Sequence, residues 1–398
     1  MAEISSDNGR KFTIPIGPQH PALKEPGHFE FVVDGEVIQE ASVKLGYAHR
    51  GIEKIVEDRN YTQAMYILER VCGICSHVHA SALAMGAEQL AGVEAPPRAR
   101  AIRTLVYELE RIHSHLLWLG VAAHEAGFEA LFMYSWRDRE TIMDILEEIS
   151  GSRVHYSVNA IGGVRIDISA ESAQNILKAV DFLEERSKHY LNVVSSDRVF
   201  LQRSRGIGVM SPEEGNRWGV VGPVARASGI KRDVRVDAPY AAYDIFPVTM
   251  ITASEGDLEA RFTVRVRELL ESTRLVREVV KNLPEGELTT KVKRKIPPAE
   301  TVVRIEAPRG ELMYYMKSNG TDQPERIHGR TPTIPNMASV LHLTIGHQLA
   351  DAPMILAGID PCFSCNDRAV VLKSQSHSDL WSWDQLRQYG IDRYHGRT

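Results

Sequence analysis

The sequence predicts a mainly helical α+β fold, in which a bundle of long helices forms the core and small β-sheets stand in the N- and C-terminal parts. Three observations predict it. Apolar residues recur every three to four positions through the middle of the chain, as in amphipathic helices. Short alternating runs bounded by turn residues occur near both ends. With 398 residues, the chain is long enough to bury a large core.

Residues 1–50 are expected to form an N-terminal β region. Residues 12–16 alternate like a short strand and run into the rigid loop Gly17-Pro18-Gln19-His20-Pro21. Residues 29–33 and 37–44 predict two more strands, joined by a tight Asp-Gly turn.

A helical core is expected over residues 51–300, where the helical period dominates. It begins with a short helix at residues 52–59, and long helices are predicted at residues 99–126, 131–149, 171–193 and 257–282. A glycine-rich region at 205–243 interrupts them and is expected to be irregular.

Residues 301–368 are expected to form a C-terminal α/β region. Runs at 302–306 and 312–317 predict a β-hairpin. Residues 342–349 predict a short helix, and residues 354–359 predict an apolar strand that leads to the last cysteines. The polar residues 369–398 form a C-terminal extension.

Composition excludes several function classes. The formal net charge of -5 gives no reason to expect a nucleic-acid partner. No apolar run approaches the roughly 18–20 residues that a membrane span needs, and the polar N-terminus lacks a secretory core. We therefore expect a cytoplasmic location, with any membrane contact made through partners.

All four cysteines fall into two C-x-x-C pairs, Cys72 with Cys75 and Cys362 with Cys365. Such pairs bring two sulfurs close enough to share a metal. In zinc ribbons, however, the two pairs usually lie within roughly 15–20 residues of each other, whereas here most of a globular fold separates them. A thioredoxin-like redox pair needs only one such motif, in a βαβ setting.

Local chemistry favours a reactive metal site. Cys75 precedes an apolar-periodic stretch, so it is expected at a helix N-terminus, where the dipole favours thiolate over thiol. Cys362 follows a proline, which holds it on rigid backbone. Thiolates suit nickel, iron, zinc or copper(I) rather than magnesium or calcium, so the residues alone leave the metal open.

The two cysteine motifs carry a resemblance to a known family. Arg-Val-Cys-Gly-Ile-Cys-Ser-x-x-His at 70–79 and Asp-Pro-Cys-x-x-Cys-x-x-Arg at 360–368 resemble the signatures of nickel–iron hydrogenase large subunits. Four further segments narrow the resemblance to group 4 energy-converting, membrane-associated hydrogenases. They are residues 17–21, 46–54, 150–153 and 307–311. These are related to the quinone-site subunit of respiratory complex I, and the resemblance spans about residues 14–368.

This resemblance implies the fold, the cofactor and the activity. The implied fold is that of the hydrogenase large subunit and the complex I quinone-site subunit. The implied cofactor is a nickel–iron centre whose iron carries carbon monoxide and cyanide. By position, Cys72 and Cys362 would be terminal nickel ligands, and Cys75 and Cys365 would bridge nickel and iron. The implied activity interconverts H2 with protons and electrons.

The resemblance assigns further residues around the metals. Arg309 would lie over them and act in catalysis with Cys362, although an arginine capping a hairpin turn is the alternative. Pro332 and Thr333 match a segment that hydrogen-bonds a cyanide, although Thr-Pro-Thr is otherwise only a loop. His79, four residues after Cys75, would hydrogen-bond a bridging sulfur from the same helix face, with a core histidine as the alternative.

Proton transfer needs a carboxylate close to nickel. The family uses a glutamate just before a Gly-His, and here Glu25 stands one residue further away because Pro26 intervenes. Glu53 and Glu30 are ranked behind it, and a surface glutamate is the alternative. His20 matches a histidine of the complex I quinone pocket, and with Glu53 it is expected on a proton route or at a subunit junction.

The resemblance also concerns the tail and the partners. Hydrogenase precursors are commonly cut after a basic residue three beyond the last cysteine, here Arg368, so residues 369–398 would be removed; a permanent extension that packs on a partner is the alternative. With all four cysteines at the nickel–iron centre, no iron–sulfur cluster is expected in this chain. Its expected partners are an iron–sulfur small subunit, further iron–sulfur and membrane-arm subunits, and ferredoxin as indirect carrier, on the cytoplasmic face of the membrane.

Two alternative functions remain at this point. One is a complex-I-like quinone or electron-transfer subunit that shares the fold without the metal; such subunits lack these cysteines. The other is an interaction scaffold stabilised by zinc.

Overall fold

The computed structural model describes residues 11–366 and 388–392. The chain divides into two compact units, 1–367 and 368–398. In the second unit, residues 388–392 are helical. Arg368 and most of the extension lie outside the described residues, so the cleavage prediction stays a prediction.

The N-terminal part is a three-stranded antiparallel sheet in the order β1-β2-β3. Its strands are β1 (Lys11–Ile16), β2 (His28–Asp34) and β3 (Val37–Lys44). Alternate residues of β2, Phe29, Phe31 and Val33, are buried against the helices, as the period of two predicted. The predicted strands are confirmed, and the sheet places the loop that carries Glu25 directly before β2.

The next segment leads from the first sheet to the longest helices. Its elements are α1 (Ile52–Glu57), α2 (Tyr61–Glu69), α3 (Ser76–Ala91), α4 (Pro97–Glu125), α5 (Glu129–Ser150), the short strands β4 (Asn159–Ala160) and β5 (Gly163–Val164), α6 (Ala170–Ser196) and α7 (Arg198–Gln202). Pro97 stands in the first turn of α4, where its missing N–H is harmless, and Gly151 ends α5 in the left-handed conformation.

The glycine-rich region contains three short helices, α8 (Pro212–Trp218), α9 (Gly222–Ala227) and α10 (Val234–Asp237), before the long α11 (Leu258–Lys281). A capping box between Ser211 and Glu214 begins α8. The four predicted long helices are confirmed as α4, α5, α6 and α11. Helix α4 is buried along most of its length and packs against α5 and α11.

The C-terminal part has a second antiparallel sheet in the order β6-β7-β8. Its strands are β6 (Ala299–Ala307), β7 (Gly310–Ser318) and β8 (Pro324–Arg330). The hairpin β6–β7 is confirmed, and β8 was not predicted. The fold class predicted from the sequence, mainly helical with small sheets in both end regions, is confirmed.

Two C-terminal predictions are wrong. The helix expected at 342–349 is α12 (Thr333–Thr344), because prolines in the first turn, which suggest a loop, are tolerated there. The strand expected at 354–359 is the helix α13 (Ala352–Gly358), preceded by a 3-10 turn at Leu349–Asp351. A short apolar run does not distinguish a buried helix from a buried strand. Helix α14 (Phe363–Asn366) carries Cys365.

Within the described part of the chain, no helix combines the length and the apolar character needed to cross a bilayer.

Candidate metal centre

The four cysteine thiols meet at one buried point, although they come from distant parts of the sequence. Cys75 is the N-cap of α3, and Cys362 directly precedes α14. The Sγ atoms lie 3.6 Å apart between Cys72 and Cys362, 3.9 Å between Cys75 and Cys365, and 3.1 Å between Cys362 and Cys365. Two sulfurs about 2.3 Å from one tetrahedral metal are roughly 3.8 Å apart, so this spacing fits a shared centre.

The surroundings lower the pKa of the Cys72 thiol and raise the pKa values of the other three, so they favour a single thiolate, at Cys72. Cys72 Sγ accepts hydrogen bonds from the backbone N–H groups of Ile74 and Cys75, each at 3.3 Å. Its contact with Cys362 holds the pKa of the Cys72 thiol well below its usual range. Contact with Cys362 raises the pKa of Cys365 well above its ordinary value. A metal would displace the remaining thiol protons, as metals do at cysteine sites.

His79 reaches the cluster from α3, one turn after Cys75. Its Nε2 lies 3.7 Å from Cys75 Sγ and 3.6 Å from Cys365 Sγ, while Nδ1 is 2.8 Å from the Tyr314 hydroxyl. Burial lowers the pKa of His79 to about 4, so the ring is neutral near pH 7. A neutral ring can donate through Nε2 to the sulfurs while Nδ1 accepts from Tyr314.

Glu25 lies beside the second cysteine pair. Its Oε1 is 4.0 Å from Cys362 Sγ and also accepts the Ser364 hydroxyl. Its Oε2 accepts the backbone N–H groups of Phe363 and Ser364, at 2.5 and 3.1 Å. The proline between Glu25 and the Gly-His therefore does not keep this carboxylate away from the cysteines.

Arg309 lies in the turn between β6 and β7, and its guanidinium is buried. Nε donates to the carbonyl of Asp360 at 2.9 Å and Nη2 to its carboxylate at 2.8 Å. Burial alone would lower the pKa of Arg309, but Asp360 and the neighbouring Cys362 raise it well above its ordinary value. The side chain is thus a fixed cation next to the sulfurs, and it does more than cap its own turn.

The start of α12 holds the backbone of the second cysteine pair. Thr333 Oγ1 accepts the N–H of Cys362 at 3.2 Å, and Pro332 is the residue before the helix. Thr331, which the sequence did not single out, donates its hydroxyl to the carbonyl of Cys365 at 3.0 Å.

A small cavity of about 70 Å³ is lined by Glu25 and Arg309, which lie beside the cluster, and by residues next to the cysteines in the chain. Most of its remaining wall is apolar, with Ile74, Trp118 and Phe363 among the lining residues.

Comparison with known proteins decides the family. The family model described as respiratory-chain NADH dehydrogenase, 49 Kd subunit, matches residues 125–299 and 289–368, and the one described as nickel-dependent hydrogenase matches residues 50–120. The carbon monoxide-induced hydrogenase of Rhodospirillum rubrum is 38% identical over 358 residues, covering 90% of this chain and 99% of the relative. The chain belongs to the family of complex I 49-kDa subunits and membrane-bound hydrogenase large subunits.

Both branches of this family are similar to the chain. The membrane-bound hydrogenase subunit alpha of Pyrococcus furiosus is 40% identical over 94% of this chain and 91% of the relative. An NADH-quinone oxidoreductase subunit of Dehalococcoides mccartyi is 37% identical over 88% of this chain and 96% of the relative.

A solved structure gives the same result. A chain of the membrane-bound sulfane sulfur reductase, an archaeal respiratory membrane complex, aligns with a TM-score of 0.87 and 30% identity over 92% of this chain and 100% of its own. The resemblance inferred from the motifs is confirmed, and the chain is an oxidoreductase subunit of this family.

The structure places the remaining candidate residues away from the sulfurs. His20 is exposed in the loop before β2, where its Nδ1 accepts the N–H of Ala22. Glu53 on α1 bonds residues of β8, among them His328 Nδ1 at 3.1 Å. Glu30 on β2 pairs with Lys44 at 2.8 Å.

Sequence reasoning missed two residues of α4 that contact the first cysteine loop. Glu110 Oε1 accepts the N–H of His77 at 2.7 Å, and His113 Nε2 lies 2.8 Å from the carbonyl of Ile74. Their spacing of three places them on one helix face, which is the signal that could have found them.

Proposed function

We propose that this chain is the catalytic subunit of an energy-converting nickel–iron hydrogenase, which interconverts H2 with protons and electrons. The observation that carries the proposal is the convergence of four buried thiols, two from each end of the fold, beside Arg309 and Glu25. Four thiolates are a soft donor set that suits nickel and iron, and their spacing fits shared coordination.

In this proposal Cys72, Cys75, Cys362 and Cys365 would hold the centre. When bound, a nickel–iron centre supplies the position at which H2 is cleaved heterolytically. The adjoining cavity of about 70 Å³ has an apolar wall and a volume that suits a diatomic gas. Glu25 and Arg309 both line it, so a small molecule in this cavity lies next to both groups.

Two side chains perform the chemistry that the protein itself contributes. Arg309, held in orientation by Asp360, presents a permanent cation that stabilises negative charge at the open position. Glu25, 4.0 Å from Cys362 Sγ, would accept a proton from the Cys362 thiol, leaving the thiolate, and pass it outward. His79 and Thr333 orient the sulfur and the backbone of the cysteines.

The proposed assembly resembles those named for the relatives. The cysteines are used at the metal, so electrons leave through an iron–sulfur small subunit and reach ferredoxin indirectly. Further iron–sulfur and membrane-arm subunits attach the chain peripherally to the cytoplasmic face of the membrane. The names of the relatives, a membrane-bound hydrogenase and a respiratory membrane complex, support this arrangement.

The second candidate is a quinone or electron-transfer subunit of a complex-I-like enzyme without a metal centre. The 37% identity to the NADH-quinone oxidoreductase subunit favours it. Four buried cysteines with sulfur separations of 3.1 to 3.9 Å have no role in that function, and for this reason we rank it second.

Metal analysis and infrared spectroscopy of the purified complex separate the candidates. The proposal expects nickel and iron near one of each per chain, with infrared bands of iron-bound carbon monoxide and cyanide. A complex without metal at this chain would support the quinone-site function, and zinc alone would support a structural centre. Either of these two results would overturn the hydrogenase proposal.

A further inference from the structure

Helix α4 contacts the first cysteine loop at two points on either side of Cys75. Glu110 accepts the backbone N–H of His77 through Oε1 at 2.7 Å. His113, three residues further along the same face, has Nε2 2.8 Å from the carbonyl oxygen of Ile74. Both side chains are buried, with exposed fractions of 0% and 1%.

The hydrogen bonds of His113 fix its tautomer. A carbonyl oxygen can only accept, so Nε2 carries the proton and donates to Ile74. Nδ1 must then accept, and Arg139 Nε donates to it at 3.2 Å. Burial lowers the pKa of His113 to about 3, which agrees with a neutral ring in one fixed orientation.

Glu110 replaces a helix cap that α3 lacks. Cys75, the N-cap of α3, makes no capping hydrogen bond through its side chain. The first N–H groups of a helix need an acceptor, and Glu110 supplies it from another helix. Burial raises the pKa of Glu110 well above its ordinary value, and Oε2 has no hydrogen-bond partner among the described residues. The interaction with His77 therefore depends on a hydrogen-bond acceptor rather than on a charge.

The second cysteine pair is held in a comparable way by other residues. Glu25 accepts the N–H groups of Phe363 and Ser364, Thr333 accepts that of Cys362, and Thr331 donates to the carbonyl of Cys365. Each pair thus has a carboxyl group on the first N–H groups of its helix. Glu25 also lies 4.0 Å from a cysteine sulfur, whereas Glu110 bonds the backbone.

We propose that Glu110 and His113 are positioning residues that hold Cys72 and Cys75 in the geometry needed to share a metal with Cys362 and Cys365. The proposal rests on the proposed function for the identity of the metal. Removing either side chain leaves a buried N–H or carbonyl group unpaired, which moves the loop or opens it to water. A displacement of about 0.5 Å is enough to degrade a metal site.

The test compares Glu110→Leu, Glu110→Gln and His113→Leu in the purified complex. Hydrogen–deuterium exchange of peptides covering residues 72–80 is measured together with nickel and iron content and the infrared bands. Glu110→Leu is expected to raise amide exchange of His77 about tenfold or more and to lower metal content. Glu110→Gln keeps an acceptor oxygen of the same reach and is expected to restore both. His113→Leu is expected to shift the infrared bands and lower metal content.

His124→Leu and Glu129→Leu are the matched controls, because His124 is exposed at the end of α4 and Glu129 is exposed at the start of α5. They are expected to leave exchange and metal content unchanged. Should Glu110→Leu fail to accumulate, Glu110→Asp replaces it, since aspartate withdraws the carboxyl by one methylene. Wild-type amide exchange of His77 in Glu110→Leu or Glu110→Asp would overturn the positioning role. A Glu110→Gln variant as defective as Glu110→Leu would also overturn it. The exchange measurement does not depend on nickel, so a wild-type complex without nickel would sink the proposed function and leave this test intact.

Discussion

A guanidinium as deeply buried as that of Arg309 remains charged only because anions surround it. Asp360 supplies one carboxylate, and its backbone carbonyl accepts a second hydrogen bond from the same fork. The φ of Asp360 is 55°, so the chain adopts a rarely used conformation at the residue that fixes the arginine. These two hydrogen bonds fix the orientation of the guanidinium, and the Asp360 carboxylate keeps it charged.

Arg309→Lys keeps the positive charge but loses the planar guanidinium that makes two hydrogen bonds to Asp360. We expect Arg309→Lys to lower hydrogen turnover about 100-fold, the effect typical of removing one preorganised donor, while nickel content stays at the wild-type level. The matched control is Arg304→Lys, at a half-exposed arginine that pairs with Glu311 on the same hairpin. Turnover of Arg309→Lys within twofold of the control would contradict the proposed role.

In the proposed function Glu25 combines hydrogen bonds to the backbone with proton transfer, and one substitution separates these two roles. Glu25→Gln keeps an oxygen for the N–H groups of Phe363 and Ser364 but cannot take a proton. We expect full nickel and iron content, unchanged infrared bands and a loss of turnover of about 100-fold or more.

Glu30→Gln is the control, because Glu30 forms a surface pair with Lys44. It is expected to keep wild-type turnover. Equal losses in both variants, or an active Glu25→Gln, would show that the proton leaves by another group.

At the scale of elements, the turn that carries Arg309 is positioned by a close approach of backbones. A Cβ added at Gly222, the first residue of α9, would lie 2.3 Å from Gly310 Cα and 2.5 Å from the carbonyl oxygen of Arg309. Only glycine permits this approach, so the contact with α9 fixes the position of the β6–β7 turn that carries Arg309.

Gly222→Ala is therefore expected to displace Arg309. Gly219→Ala is the matched control, since both glycines have a φ of 68° and nothing lies within 4 Å of a Cβ added at Gly219. The shared left-handed conformation should destabilise both variants by about 1–2 kcal/mol. In Gly222→Ala alone, the clash should add several kcal/mol to this destabilisation and should lower hydrogen turnover. Denaturant unfolding measures the first effect and a hydrogen assay measures the second. Equal unfolding midpoints for Gly222→Ala and Gly219→Ala would contradict the predicted clash.

Helix α4 shows which part of an element could be predicted. Its period and length predicted a long helix, and the helix extends over Pro97–Glu125. The sequence also places charged residues along it, which usually marks a solvated face. In the structure these charges are buried and pair with distant residues, as Glu108 does with Arg235 and Arg103 with Glu88. Periodicity contains no information about such partners, because they are defined only by the tertiary fold.

At the scale of the whole molecule, the four thiols come together only when distant parts of the fold meet. The cysteine motifs predicted which residues come together, because few arrangements use four cysteines in two distant pairs. The supporting residues could not be predicted in the same way. Thr331 and Glu110 act through backbone groups, and an acceptor or donor for a distant backbone group leaves no motif in the sequence. The misassigned segment 354–359 shows the same limit for an apolar run.

Buried histidines should make the stability of the whole fold depend on pH. Burial lowers the pKa of His77 and His113 to about 3 and that of His79 and His115 to about 4. The unfolded chain binds these protons near pH 6.5, so stability is present above that pH and is lost as the pH falls towards 4. Each histidine contributes a slope of about 1.4 kcal/mol per pH unit. Burial raises the pKa of Glu306 to about 7. The folded chain therefore binds this proton between pH 4.5 and 7 while the unfolded chain does not, which gives stability a slope of opposite sign and offsets the slope of one histidine.

We therefore expect the free energy of unfolding to fall between pH 6.5 and 4.5, more gently than the four histidines alone would require. Because His115 bonds Glu268 at 2.8 Å inside the core, His115→Asn should flatten this slope by about 1.4 kcal/mol per pH unit. His189→Asn, at an exposed position on α6, should leave the slope unchanged. Denaturant unfolding of both variants at four or five pH values measures the difference, and parallel curves for His115→Asn and wild type would refute the assignment. The comparison tests whether the core keeps this histidine uncharged, because only a proton absent from the folded chain and bound on unfolding produces that slope.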